Sequence, residues 1–114
     1  MEKYQRRGFV CWTTKTKVGG YVGSWPLGKL AISSDGIYLG ILFNGKHYIK
    51  KSDIKSIELT ANINSTLFNF KTFGKSKFCK ITTTNPELPE WLAFILKAGD
   101  VEVLRNFGYS VIEN

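Results

Sequence analysis

Few residues of this chain belong to the types that perform acid–base, nucleophilic or metal chemistry. The one histidine, His47, directly follows a predicted hairpin turn, where a solvated side chain is much commoner than a general base. The two cysteines, Cys11 and Cys79, lie far apart and show no CxxC or Cys/His spacing, so they predict no metal site. We expect both thiols to pack as small apolar groups in a reducing compartment. The sequence does not decide whether they form a Cys11–Cys79 disulfide instead.

The carboxylates are scattered, and each has a structural explanation. Asp35 belongs to a turn and Asp53 to a polar bend, while Asp100 could accept hydrogen bonds from the first amides of a predicted helix. The glycine-rich segment 18–23 (VGGYVG) fits neither the Walker nor the dinucleotide-binding spacing. Catalysis needs positioned groups with tuned pKa values. These patterns argue against an enzyme and indicate no cofactor.

Charge is the more informative feature of the sequence. The 114 residues carry a formal net charge of +7, and residues 1–80 hold 14 of the 16 Lys and Arg residues but four of the nine acids. A basic body of this kind can attract phosphate-bearing partners such as lipid headgroups or nucleic acid. The simpler interpretation is that most of these lysines solvate outward strand faces.

Two stretches concentrate the positive charge. The first contains Lys46, Lys50, Lys51 and Lys55. The second contains Lys71, Lys75, Lys77 and Lys80, interleaved with Phe68, Phe70, Phe73 and Phe78. Lysine beside aromatic side chains could bind single-stranded nucleic acid or an anionic membrane. Ordinary strand alternation, with phenylalanine inside and lysine at the rim, explains the same pattern.

The elements that position these residues are predicted to be short strands. A chain of 114 residues can bury one core, and its 14% aromatic content suits strands. In the segment 32–49 (ISSDGIYLGILFNGKHYI), Asp35-Gly36 and Asn44-Gly45 predict two tight turns. The antiparallel meander that follows comprises Lys29–Ser33, Ile37–Phe43 and Lys46–Lys50. Its middle strand is apolar on both faces and should lie deep in the sheet.

Further strand-like segments flank this meander, and one helix follows them. The segments are Gly8–Thr14, Gly20–Trp25, Ile54–Thr60 and a hairpin of Thr66–Thr72 with Lys77–Thr83. We favour a strand for the short apolar run Trp91–Lys97, although Pro89 could also begin a helix that runs to Lys97. Residues 100–108 predict a short helix with one apolar side. The pattern favours a small barrel or orthogonal sandwich, mainly β, flanked by that helix.

Three segments share a pattern with a known family. They are Gly23–Ile32 (GSWPLGKLAI), Ser34–Leu39 (SDGIYL) and Tyr48–Leu59 (YIKKSDIKSIEL). With Val101–Val111 as the closing helix, residues 20–114 resemble the PH-like superfamily, especially its bacterial PH and GRAM-like members. The resemblance implies a seven-stranded barrel of two nearly orthogonal antiparallel sheets with one C-terminal helix. Residues 1–19 fall outside it, as an N-terminal strand or arm.

The resemblance also implies a non-catalytic binding module. Members that bind phosphoinositides use Lys and Arg around the loop between the first two barrel strands. Lys15, Lys17 and Lys29 flank that region here, but no basic motif with Arg at the expected spacing follows. The candidate ligand-binding residues are Lys15, Lys17, Lys29, Lys46, Lys50 and Lys51.

Three classes of partner stay open, and we favour association with another protein or with a second copy of the chain. Any exposed member of Trp12, Trp25 and Trp91 could anchor such a partner, although indoles more often pack in the core. Weak binding of anionic lipid headgroups is the alternative. Single-stranded nucleic acid is less favoured, because lysine lacks the bidentate fork of arginine. The polar start and short apolar runs predict a soluble, cytoplasmic protein that can lie at the membrane periphery.

Overall fold

The computed structural model describes residues 3–13, 20–64, 69–71 and 77–113. These residues form twelve strands, one α-helix and a 3-10 turn at Lys51–Asp53. The strands are β1 (Lys3–Arg7), β2 (Val10–Thr13), β3 (Gly20–Gly23), β4 (Gly28–Ser33), β5 (Gly36–Ile41), β6 (Gly45–Lys50), β7 (Ile54–Thr60), β8 (Asn62–Asn64), β9 (Asn69–Lys71), β10 (Phe78–Thr83), β11 (Trp91–Ile95) and β12 (Ile112–Glu113). The helix α1 spans Asp100–Asn106.

The strands form two large sheets and one small one. The four-stranded sheet has the order β1-β4-β5-β6, the six-stranded sheet has the order β12-β7-β10-β11-β2-β3, and β8 pairs with β9. Neighbours are antiparallel except for β12, which lies parallel to β7. The mainly β prediction is therefore confirmed. No sheet closes on itself within the described ranges.

The core lies between the two large sheets because their strands alternate. In β4 (GKLAIS), Leu30 and Ile32 are fully buried while Lys29 points to solvent. One contiguous apolar cluster includes residues from both sheets together with Leu104 of α1 and Tyr109. Burial of each such aliphatic side chain contributes about 1.5–3 kcal/mol. The two sheets and the helix therefore share one core.

A second apolar cluster lies on the other side of the six-stranded sheet. It comprises Cys11, Phe78, Trp91 and Ala93. Strands β2 and β11 are thus buried on both faces, which accounts for their near-continuous apolar sequences. Cys79 belongs to the first cluster and Cys11 to the second, and both thiols are free. The disulfide that the sequence left open is absent.

A buried ion pair joins the first strand to the helix. Arg6 of β1 donates to the fully buried carboxylate of Asp100, with Nη2 and Oδ2 2.5 Å apart. The same carboxylate accepts from the Tyr4 hydroxyl at 3.1 Å and from the Lys97 amide at 2.7 Å. The prediction that Asp100 accepts from the first amides of the helix is wrong. Gly99 occupies the N-cap with φ +90°, and the carboxylate turns toward Arg6 instead.

The predicted meander is present with a shifted turn. Strand β5 ends at Ile41, not at Phe43, and the loop before β6 consists of residues 42–44. Positive φ angles fall on Phe43 (71°) and Gly45 (110°) instead of on Asn44-Gly45. Leucine and phenylalanine in this loop are exposed, so their apolar character does not reflect a continued core strand. Leu42 and Phe43 therefore belong to the protein surface and not to the core.

Some of the remaining elements agree with the predictions from sequence and others do not. Strand β11 (Trp91–Ile95) confirms the preference for a strand at Trp91–Lys97 but ends two residues earlier, and β7 covers the predicted Ile54–Thr60. Strand β9 pairs with β8, whereas β10 pairs with β7 and β11, so the predicted hairpin of Thr66–Thr72 with Lys77–Thr83 is not found in the described part of the chain. Residues 3–13 supply one strand to each large sheet. No helix in the described ranges has the length and apolar character to cross a membrane.

Candidate ligand-binding surface

The side of the four-stranded sheet that points away from the core is open. We call it the outer face. Its outward residues are Lys3, Gln5, Arg7, Lys29, Ala31, Ser33, Gly36, Tyr38, Gly40, Lys46, Tyr48 and Lys50. Five of these are cations and none is an acid. Among the described residues, the carboxylate nearest in sequence is Asp35, which lies in the turn between β4 and β5.

Three of the cations stand in one row across the sheet. The strand register places Arg7 opposite Lys29, Lys29 opposite Gly40, and Gly40 opposite Lys46. We call Arg7, Lys29 and Lys46 the cation row. Three strand spacings separate its ends, about 14 Å. Gly40 contributes no side chain to the row, and the hydroxyl end of the Tyr38 ring lies over that position between the two lysines.

Two tyrosines occupy the middle of the outer face. Tyr38 and Tyr48 are direct cross-strand neighbours. A Cβ atom on Gly40 would lie 2.6 Å from the Tyr38 hydroxyl oxygen, and one on Gly36 would lie 2.7 Å from that of Tyr48. Each ring therefore extends over a glycine of β5. The absence of a side chain at these two glycines is what lets the rings pack onto the sheet.

One end of the sheet carries an exposed apolar group of four side chains. We call Trp25, Leu27, Leu42 and Phe43 the apolar tip; their exposed fractions are 69%, 42%, 55% and 93%. They lie on the β3–β4 and β5–β6 loops, which the Leu42 amide joins by donating to the Leu27 carbonyl at 2.9 Å. Exposed apolar groups that cluster in this way mark interaction sites more often than scattered ones do.

The cation row and the apolar tip meet at a groove of about 350 Å³. The cation row borders it on the polar side, and Pro26, Leu27, Leu42 and Phe43 line its apolar side. Tyr38 and Gly40 also line it. This arrangement suits a ligand with a phosphate at one end and hydrocarbon at the other.

The six candidate lysines separate into three groups. Lys29, Lys46 and Lys50 lie together on the outer face. Lys51 is elsewhere: its ammonium group donates to the Phe107 carbonyl at 2.7 Å and lies 4.5 Å from the centre of the Tyr109 ring. Lys15 and Lys17 lie outside the described residues.

Sequence reasoning missed half of this surface. The sequence places Lys3 and Arg7 in an N-terminal strand or arm outside the PH-like segment, yet β1 adds both to the outer face. The apolar tip was also missed as a site, although Trp25 was named as a possible anchor. A signal was present, because Trp-Pro-Leu and Leu-Phe-Asn each place apolar residues in segments with turn composition.

The potentially reactive groups are held in structural positions. Burial raises the pKa of the Cys11 thiol to about 12 and also raises the pKa of Cys79, so neither is a thiolate at neutral pH. The His47 ring packs edge-on against Trp12, with ring centroids 4.8 Å apart. Among the described residues, no three His, Cys, Asp or Glu side chains are grouped as metal ligands.

The outer face, its cation row and the adjoining apolar tip thus form the candidate site. Comparison of the chain with protein-family models, with curated proteins and with solved structures finds no significant match in any of the three.

Proposed function

We propose that the chain is a non-catalytic, PH-like binding module that docks on anionic lipid headgroups through its outer face. The observation that carries the proposal is the cation row, which has no acid among its outward neighbours and borders a groove with an apolar wall. The PH-like part of the proposal is supported by one core shared between two sheets and by a helix that follows the first eleven strands in sequence.

Electrostatics can supply most of the binding free energy. A cation near an anionic membrane contributes about 1 kcal/mol, so the cation row would strengthen binding about 100-fold. Lys3 and Lys50 stand at the far end of the same face and can add to this when the face lies parallel to the membrane. Long aliphatic stems let lysine and arginine reach headgroups while they remain hydrated.

The arrangement favours lipid over nucleic acid and over a protein partner. Four of the five cations on the outer face are lysines, which attract phosphate without the bidentate geometry that reads bases. Nucleic acid would also leave the apolar tip unused. The sequence alone favours protein association, but Trp12 and Trp91 are buried, and the one exposed indole, Trp25, directly precedes Pro26 and Leu27 of the groove wall.

Sedimentation with vesicles tests this proposal. Vesicles of phosphatidylcholine with about 30% phosphatidylserine should bind the protein at low salt, and binding should fall steeply at higher salt. The triple variant Arg7→Gln, Lys29→Gln, Lys46→Gln should bind about 100-fold more weakly. The control Lys55→Gln, Lys97→Gln, Arg105→Gln removes the same charge from exposed positions off the outer face and should change binding by less than about tenfold.

Three results would contradict the proposal. The first is the absence of binding to acidic vesicles at low salt. The second is tight binding of a single-stranded oligonucleotide that depends on the cation row, in a protein that does not bind the vesicles. The third is an equal loss of vesicle binding in the two triple variants, which would show that the outer face is not the binding surface.

Self-association is a second candidate, favoured by a different observation. Strand β3 is at the edge of the six-stranded sheet, pairs with β2, and exposes Tyr21 and Val22. Exposed edge strands of this kind can pair with a second chain. Light scattering should then give twice the 12.9 kDa monomer mass, and Val22→Lys should restore the monomer. A monomer at all concentrations would exclude it.

A further inference from the structure

We infer that the apolar tip inserts into the interfacial region of the bilayer, with Trp25 and Phe43 entering deepest. This inference rests on the proposed function, because it requires the outer face to meet an anionic membrane. It adds a second, hydrophobic component of binding that added salt does not screen. The apolar tip thus contacts the boundary between lipid headgroups and acyl chains.

The apolar and cationic groups follow one another in a fixed order from the tip to the outer face. Trp25 and Phe43 are the most exposed of the apolar tip, and the cation row follows behind the leucines. Leu27 precedes Lys29 by two residues and Leu42 follows Gly40 by two, which corresponds to about 7 Å of strand. Interfacial segments bury their apolar groups about 5–10 Å into the boundary. The spacing therefore lets the cations remain at headgroup level while the tip is inserted.

Several backbone groups of the two tip loops are hydrogen-bonded within the protein. The Leu27 and Gly28 amides both donate to the Ser24 carbonyl, at 2.7 and 3.1 Å. The Leu42 amide donates to Leu27 and the Asn44 amide donates to Ile41, each at 2.9 Å. Pro26 has no amide hydrogen to satisfy. Because unpaired backbone groups are costly in hydrocarbon, these bonds lower the penalty for insertion.

The two loops that form the tip also have a side-chain composition suited to an anionic membrane. Neither the segment 23–29 (GSWPLGK) nor the segment 40–46 (GILFNGK) contains an acid, and each ends on a lysine of the cation row. Tryptophan is favoured at membrane interfaces, where its ring is half in an apolar and half in a polar environment. A negatively charged bilayer complements both parts of the surface, whereas an aqueous partner would have to cover the apolar tip with apolar groups of its own.

Quenching by brominated lipid tests the insertion. The probe is the phosphatidylcholine–phosphatidylserine vesicle with acyl chains brominated near the headgroup. We expect quenching of the intact protein and its loss in Trp25→Phe, which keeps the tip apolar but removes the exposed indole. Since Trp12 and Trp91 are buried, they should contribute little to the quenched signal. The double variant Trp25→Ser, Phe43→Ser should lose at least tenfold in binding and keep its salt dependence.

The outcomes separate this inference from the proposed function. Salt-dependent binding without quenching, and with no loss in the double serine variant, would overturn the insertion and leave the outer face as the binding surface. No binding to acidic vesicles would overturn both. A dimer of the intact protein that becomes a monomer in the double serine variant would assign the tip to a second copy of the chain and overturn the inference. Circular dichroism of each variant verifies that it is folded.

Discussion

At the scale of single residues, the Arg6–Asp100 pair is the contact that most clearly ties the two ends of the chain together. Arg6 also donates to the Ile95 carbonyl at 2.9 Å and lies 5.6 Å from the centre of the Phe94 ring. Asp100 accepts four hydrogen bonds, two from Arg6, one from the Tyr4 hydroxyl and one from the Lys97 amide, and water does not reach its carboxylate. Such a pair is weak evidence for net stabilisation, but the loss of one partner leaves a buried charge.

Asp100→Ala is therefore expected to lower the free energy of unfolding by about 3–5 kcal/mol. Urea denaturation measures this directly. Glu102→Ala is the matched control, since Glu102 lies on the same helix turn and is exposed, and it should cost no more than about 0.5 kcal/mol. If Asp100→Ala costs as little as the control, the pair does not hold β1 to the helix.

Cys11 and Tyr109 determine a second expectation at the scale of single residues, for alkaline pH. Burial raises the pKa of Cys11 from 9.0 to about 12, and burial raises that of Tyr109 from 10.0 to about 12. Both groups are neutral when protonated, so the unfolded chain loses these protons first as the pH rises. Their contribution to stability is complete below about pH 9 and declines as the pH approaches 12.

Urea denaturation at a series of pH values should thus give a constant free energy of unfolding near neutrality and a decline above about pH 9. A thiol reagent should label the native protein slowly at about pH 8 and the unfolded protein quickly. If Cys11 in the native protein reacts as fast as a fully exposed thiol, the second apolar cluster opens readily.

At the scale of elements, glycines decide how closely the strands approach one another. A Cβ on Gly28 would collide with the carbonyl oxygen of Gly8 and lie 2.8 Å from that of Gly23, both of which are fixed backbone atoms. At Gly40 the obstacle is the far end of the Tyr38 side chain, which can rotate away. Two glycines on neighbouring strands are thus expected to differ strongly in their tolerance of alanine.

Gly28→Ala should lower the free energy of unfolding by about 2 kcal/mol or more, because neither carbonyl can move without shifting a strand. Gly40→Ala should change it by less than about 1 kcal/mol, because alanine also restricts the unfolded chain. Chemical denaturation of the two variants provides the comparison. Equal costs would contradict the close approach of β4 to the backbone of residues 8 and 23.

The elements also show what the sequence can and cannot predict. The turn at Asp35, strand β7 and helix α1 follow from local signals, namely turn residues, alternation and a positive-φ glycine. The end of β5 does not, because Leu42 and Phe43 continue an apolar run and only tertiary structure exposes them. The parallel pairing of β12 with β7 is likewise non-local.

At the scale of the whole molecule, the candidate site was half predictable. Lys29, Lys46 and Lys50 belong to the meander, whose alternation places them on one face. Arg7 joins them only because β1 pairs with β4, across more than twenty residues of sequence. Lys51 follows Lys50 directly, yet the 3-10 turn after β6 sends it toward Phe107. Pairing and turns thus determine which cations share a surface.

The most direct test of the account is to map which residues face the membrane. Amide signals can be recorded by NMR on nanodiscs of phosphatidylcholine and phosphatidylserine that contain a lipid with a paramagnetic headgroup. We expect the strongest relaxation at residues 25–29 and 40–46 and little at α1 or β12. Strongest relaxation at α1 or β12, or a uniform effect over the chain, would contradict membrane docking through the outer face and the apolar tip.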